Sequence, residues 1–155
     1  MARCYPRPYD GPMETYRHVA VAVEDSPGSL KALAEARRMA GLTGARLSVL
    51  HVTSIPMPPP YMGEGGVFLP DPEVMQSAAL QWLTELLEGI PGAEPHVLQG
   101  HPPEAVCTWA DEHGVDLLVA GAERGKLQRL LLGSFAAHLA RHASCDILLA
   151  RPQKD

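Results

Sequence analysis

A chain of 155 residues has the length of one domain, long enough to close a hydrophobic core without disulfide or metal staples. Its 46% apolar and 20% charged residues are the proportions of an ordinary globule, which excludes intrinsic disorder and fibrous repeats. Thirteen basic against eighteen acidic residues leave a net charge of -5. That balance supplies no general attraction for nucleic acid or an anionic membrane, so neither is expected as a partner and any anion must be held locally.

Residues 1–15, with Pro6, Pro8 and Pro12, read as a flexible N-terminal arm before a domain spanning 16–155. The start lacks the apolar run of a secretory signal, and eighteen consecutive apolar residues occur nowhere, so a cytoplasmic location is expected. Cys4, Cys107 and Cys145 are odd in number and widely spaced, which points to reduced thiols rather than a disulfide framework.

The first apolar run, Val19-Ala-Val-Ala-Val23, predicts a strand. Ser26-Pro27 then signals a helix, serine as N-cap and proline at the first helical position. Leu30, Leu33, Ala34 and Ala40 predict its buried stripe, Lys31, Glu35 and Arg38 lie opposite, Arg37 must snorkel to the edge, and Gly41 marks the end. Leu47-Ser-Val-Leu-His-Val52 is the second strand, with His51 expected as a hydrogen-bonded core histidine. Residues 53–72 follow with six prolines and three glycines, a loop long enough to be a lid or a tether. In it, Met57, Tyr61 and Met62 are candidates to cover a ligand or a dimer partner.

Asp71-Pro72 opens the second helix, whose Met75, Ala79, Trp82, Leu83 and Leu86 predict a core stripe ending before Gly89. His96-Val-Leu98 is a third, short strand. Pro102-Pro103-Glu104 starts a helix carrying Val106, Trp109 and Ala110 on one side, ending at Gly114. Val115-Asp-Leu-Leu-Val-Ala120 and Ile147-Leu-Leu-Ala150 are the last two strands, and between them Gly133-Ser134 starts a helix presenting Phe135, Ala136, Leu139 and Ala143 inward. Nearly continuous apolar strands alternating with helices predict an α/β three-layer sandwich around a parallel sheet. Ligands in such folds bind beyond the carboxyl ends of the strands, where strand order reverses.

The end of the first strand, Glu24-Asp-Ser-Pro-Gly-Ser29, is neither a dinucleotide fingerprint nor a Walker loop. A phosphoacceptor receiver would need an aspartate after the third strand, where Leu98-Gln-Gly100 stands. The fourth strand runs into Gly121-Ala-Glu-Arg-Gly125, then Lys126, Arg129 and Gly133-Ser134. Glycines there let backbone approach a phosphate, and the N–H groups of Gly133, Ser134 and Phe135 lie at the positive end of a helix dipole. The same residues would also serve as a glycine turn with Ser134 as N-cap and a solvated basic loop. Ser26 beside Asp25 is no nucleophile, because no histidine completes a triad and the serine already caps a helix. His138 and His142, four apart, with Cys145 three further on, lack a third ligand sure to point the same way and read as a helix-end pair.

Taken in order, His18-Val-Ala-Val-Ala-Val-Glu-Asp-Ser26, Leu47-Ser-Val-Leu-His-Val52, Gly100-His-Pro-Pro-Glu-Ala-Val106, Val115-Asp-Leu-Leu-Val-Ala-Gly121, Leu131-Leu-Gly-Ser-Phe135 and Ser144-Cys-Asp-Ile-Leu-Leu-Ala-Arg151 resemble the universal stress proteins. The resemblance implies a five-stranded parallel sheet of order 3-2-1-4-5, Rossmann-like and related to the adenine nucleotide alpha hydrolases. It also implies a homodimer through the last strand. In the nucleotide-binding branch of the family a G-x-x-G-(nine residues)-G-[ST] motif holds phosphates and ribose, while residues at the ends of the first two strands hold the adenosine. Carried over, the first role falls on Ala120, Gly121, Arg124, Gly125, Gly133, Ser134 and Phe135, the second on Ala22, Val23, Glu24 and Val52. Arg124 replaces the second glycine, seven residues separate Gly125 from Gly133, and Glu24 stands where the family has aspartate. The expected ligand is ATP or another adenine nucleotide, with or without Mg²⁺, bound for regulation in a stress response. No base for an attacking water stands in these motifs, so at most slow hydrolysis is expected. The alternative implied is a dimeric scaffold of the same fold whose groove Arg124 closes and whose partner surface is the proline loop.

Overall fold

The computed structural model describes residues 15–54, 71–122 and 133–151. The chain runs β1 (His18–Ala22), α1 (Pro27–Thr43), β2 (Arg46–Thr53), α2 (Pro72–Leu86), β3 (Ala93–Gln99), α3 (Pro102–Glu112), β4 (Leu117–Gly121), α4 (Ser134–His142) and β5 (Asp146–Ala150). All neighbouring strands are parallel, in the order β3-β2-β1-β4-β5. The expected strand order is therefore found. The expected N-terminal arm up to residue 14, the expected proline loop at 55–70 with Met57, Tyr61 and Met62, and residues 123–132 lie outside the described residues.

Successive strand side chains point to opposite faces, and two cores result. Val19, Val21, Val23 and Val49 pack with Ala32, Leu33 and Ala36 of α1 and Leu83 of α2. Ala20, Leu50, Leu118 and Ala120 pack on the other face with Val106 and Trp109 of α3 and Leu139 of α4. β1 and β4 are covered on both sides, which is why their sequences are apolar without alternation.

Several local expectations are corrected. The buried stripe of α1 is Ser29, Ala32, Leu33, Ala36 and Ala40, whereas Leu30 is 55% exposed and Ala34 faces solvent. Alanines stand on several faces of this helix, so periodicity alone left the stripe ambiguous, and the small residues at 32, 36 and 40 face the sheet. Arg37 is exposed, and Glu35 accepts from Lys31 and Arg38 on the outer face at 3.0 and 2.9 Å. The helix passes Gly41 and stops at Gly44, whose φ of 70° is the left-handed cap conformation. In α2 only Leu83 of the expected stripe is fully buried, with Trp82 and Leu86 packed against the core's margin. β3 is longer than its apolar run and includes Pro95, which this strand tolerates because it is an edge.

The amino ends of the strands are tied by side chains. The Asp116 carboxylate accepts from the backbone N–H groups of Arg17 and His18 at 2.8 and 3.0 Å, and the Tyr16 hydroxyl donates to Asp146 at 2.9 Å. After β1 the chain builds outward through β2 and β3, then returns to lay β4 and β5 on the other side of β1. Connections leave β1 and β4 in opposite directions, and a crevice opens between their ends.

Candidate functional site

A cavity of about 480 Å³ occupies that crevice, within the roughly 300–1,000 Å³ of small-ligand pockets. Ala22, Val23 and Glu24 line it from the end of β1, Val52 from β2, Gly121 from β4, and Gly133, Ser134 and Phe135 from the start of α4. The two groups of expected residues, some hundred positions apart in the chain, share one space. Ala120 does not line it: its side chain is fully buried in the core on the α3 and α4 face. Arg124 and Gly125 lie outside the described residues.

The β1 end is built by short-range hydrogen bonds. Val23 N–H donates to the Leu50 carbonyl at 2.8 Å, which carries the β1–β2 pairing past the strand. Ser26 N–H donates to the Glu24 carbonyl at 2.8 Å, and Ser26 Oγ caps α1 by accepting from Ser29 N–H at 3.3 Å. The buried Ser29 hydroxyl in turn accepts from Glu24 N–H at 2.8 Å. Glu24 thus has a fixed backbone and an exposed carboxylate at the cavity edge. Ser29 escaped the sequence reading, although its place three residues after the N-cap was the available signal. His51, half-buried, donates through Nδ1 to the Val23 carbonyl at 2.9 Å and meets Trp82 edge-on at 5.0 Å.

At the other wall, Gly121 approaches α1 so closely that a Cβ would lie 2.8 Å from the Gly28 carbonyl oxygen. This glycine is required by packing as well as by its expected nearness to a ligand. The N-cap of α4 is Gly133, not Ser134, and no side chain caps the helix. Its first-turn N–H groups are therefore free of side-chain partners among the described residues. Two cavity residues absent from the sequence-based set are His101, the N-cap of α3, and His138, one turn beyond Ser134 on α4.

The model of the universal stress protein family matches residues 15–151. This chain belongs to that family. Universal stress protein A homolog 1 of Coxiella burnetii is 31% identical over 137 residues, covering 86% of this chain and 94% of the relative. A universal stress protein crystallised in complex with cAMP has a TM-score of 0.64 at 24% identity, covering 90% of this chain and all of its own. The Archaeoglobus fulgidus universal stress protein in complex with dAMP has a TM-score of 0.59 at 23% identity, covering 88% of this chain and 98% of its own. These likenesses carry the Rossmann-like fold.

Among the described residues of this universal stress protein, no three His, Cys, Asp or Glu side chains are grouped to hold a metal, and no helix is long and apolar enough to cross a membrane. His138 and His142 face each other at 4.3 Å between ring centroids. Cys107 is buried and Cys145 partly so, both free thiols whose pKa values burial raises.

A polar cluster sits at the opposite end of the sheet. The Arg46 guanidinium donates to the His113 carbonyl at 3.1 Å and lies 2.9 Å from His18 Nδ1, which is itself 3.0 Å from that carbonyl. His18 Nε2 lies 2.9 Å from the Ser48 hydroxyl. Burial above all, joined by the Arg46 charge and opposed by the His113 carbonyl, holds the His18 pKa below its ordinary value; burial does the same for His96. A histidine with a lowered native pKa contributes stability above its unfolded pKa and loses it as pH falls. Below about pH 6.5 each such histidine therefore costs up to about 1.4 kcal/mol per pH unit until its native pKa is reached. The urea midpoint is expected to drop between about pH 7.5 and 5.5, and His18→Gln should flatten that drop. An equal drop in both proteins would remove His18 from the account.

Proposed function

We propose that this protein is a cytoplasmic stress-response protein that binds ATP, ADP or AMP as a regulatory ligand in the crevice between β1 and β4. The observation that carries the reading is the sharing of one cavity by the β1 end, Val23 and Glu24, and the α4 start, Gly133 and Ser134. The cAMP and dAMP complexes of two structural relatives support an adenine nucleotide. In this reading Glu24 accepts from ribose hydroxyls, and backbone at Val23 and Val52 meets the base. Phosphates lie against Gly121 and the N–H groups opening α4, with Arg124 and Gly125 as further expected contacts. Mg²⁺ enters with ATP, held by phosphate oxygens. Mass spectrometry of the denatured protein for carried nucleotide, followed by calorimetric titration with ATP, AMP and adenosine, tests this. Saturable binding at one site per chain is expected. Silence toward all three ligands would leave the scaffold reading in its place.

The assembly proposed is a homodimer through β5. Asp146 N–H donates to Asp116 O and Ala150 O accepts from Ala122 N–H, so residues 146, 148 and 150 pair inward. By strand parity the N–H groups of Ile147 and Leu149 point outward from the sheet edge. An apolar edge of that kind invites pairing. Leu149→Pro removes an outward donor while sparing the β4 ladder, and should convert dimer to monomer in analytical ultracentrifugation. A wild-type monomer at micromolar concentration refutes the interface.

A further inference from the structure

We propose that the imidazoles packed around Trp109 form an acid-released latch that fastens α3, and with it one wall of the cavity, to the sheet. Strand parity puts His18 of β1, Arg46 and Ser48 of β2, and Glu94 and His96 of β3 on the α3 face, in line with Ala20, Leu50 and Leu98 of that core. Trp109 of α3 sits on this polar row. Its ring tilts over His96 at 4.8 Å between centroids, meets His18 edge-on at 5.9 Å, and stacks at 4.0 Å and 11° on His113 at the end of its own helix. Trp109, His18 and Ser48 are all buried. At its other end the 11-residue α3 gives Pro102, Pro103 and Val106 to the cavity.

A proton on His18 upsets this seat. Its Nδ1, the Arg46 guanidinium and the His113 carbonyl lie within 3.1 Å of one another. A charged His18 carries hydrogen on both ring nitrogens, so Nδ1–H takes the carbonyl and stands as a second cation 2.9 Å from Arg46. His96 Nε2 is buried with no hydrogen-bond partner among the described residues, and Glu94 Oε2 lies 3.7 Å away. Of the described charges, Arg46 opposes protonation of both rings and the His113 ring that of His96, whereas Glu94 favours both and Asp116 favours His18. Burial is the largest influence on each and holds both rings neutral. Lifting Trp109 and α3 away relieves that burial. The opened form therefore takes up protons first and gains on the closed form as pH falls below about 6.5, by up to about tenfold per ring per pH unit.

The test is an acid titration of the full chain from about pH 7.5 to 4.5, with neither denaturant nor ligand. In the Trp82→Phe variant, acrylamide quenching of Trp109 is expected to rise at least about threefold at a pH where far-UV circular dichroism keeps its neutral value. In wild-type NMR spectra the Trp109 indole N–H and Val106 methyl signals should move at the midpoint where the His18 and His96 C–H signals titrate, while the methyls of Val19 and Val49 on the opposite face stay. Combining His18→Gln with His96→Gln should abolish the quenching step. If that double variant does not fold, the wild-type midpoints decide, and their disagreement overturns the latch. It is equally overturned if Trp109 stays shielded until the circular dichroism is lost, if its fluorescence dims without gaining access to acrylamide, if the Val106 methyls do not move, or if the step persists in the double variant.

Discussion

Gly133→Trp is expected to raise the dissociation constant for an adenine nucleotide by more than about a hundredfold, which is roughly 2.7 kcal/mol or more of binding. Gly133 has φ -55° and ψ 154°, a conformation open to any residue, so the substitution tests space rather than backbone strain. An indole there occupies the cavity wall where α4 begins and blocks backbone approach to a phosphate. Folding stability should change by less than about 1 kcal/mol, because Gly133 is only partly buried and caps its helix through its own carbonyl, which accepts from Ala137 N–H at 2.9 Å. Calorimetry with ATP and urea unfolding of the same sample read the two effects separately. Undiminished affinity would move the site away from the β4–α4 connection.

Gly121→Val acts through the scaffold instead. A Cβ at this position meets the Gly28 carbonyl oxygen at 2.8 Å and its carbon at 3.0 Å, and these are backbone atoms that no rotamer change can move. Either the end of β4 or the first turn of α1 must shift, and overpacking of this kind costs about 1–3 kcal/mol. The first turn of α1 also contains Ser29, which fixes Glu24 N–H, so the displacement should weaken nucleotide binding in parallel with stability. Gly121→Ala, with the same Cβ and less bulk, should show a smaller loss of both. A midpoint in urea equal to wild type would mean that the two backbones separate freely there, contrary to the packing described.

The corrections have a common origin. The N-caps Ser26 and Asp71, each followed by proline, were legible because capping depends on a few consecutive residues. The turn of α1 toward the sheet was not, since its alanines are apolar enough for either face and only the neighbouring strands choose Ala32, Ala36 and Ala40. β3 was underestimated because Ala93, Glu94 and Pro95 carry no apolar signal, yet they pair with Leu47, Ser48 and Val49 once β2 is in place.

The candidate site divides along the same line. The residues expected at the ends of β1, β2 and β4 and at the start of α4 came from the resemblance to the universal stress proteins, and Ala22, Val23, Glu24, Val52, Gly121, Gly133, Ser134 and Phe135 share one cavity. From the chain alone His51 reads as a core histidine and His138 as half of a helix-end pair with His142, and nothing singles out His101. Local pattern determined the elements, their order and the caps of α1 and α2, since those rest on contacts within about four residues. Tertiary structure decided which faces are buried, why Gly121 tolerates no side chain, and that three histidines from β2, α3 and α4 meet around one cavity. Such convergence depends on contacts between residues tens of positions apart, and no local periodicity records them.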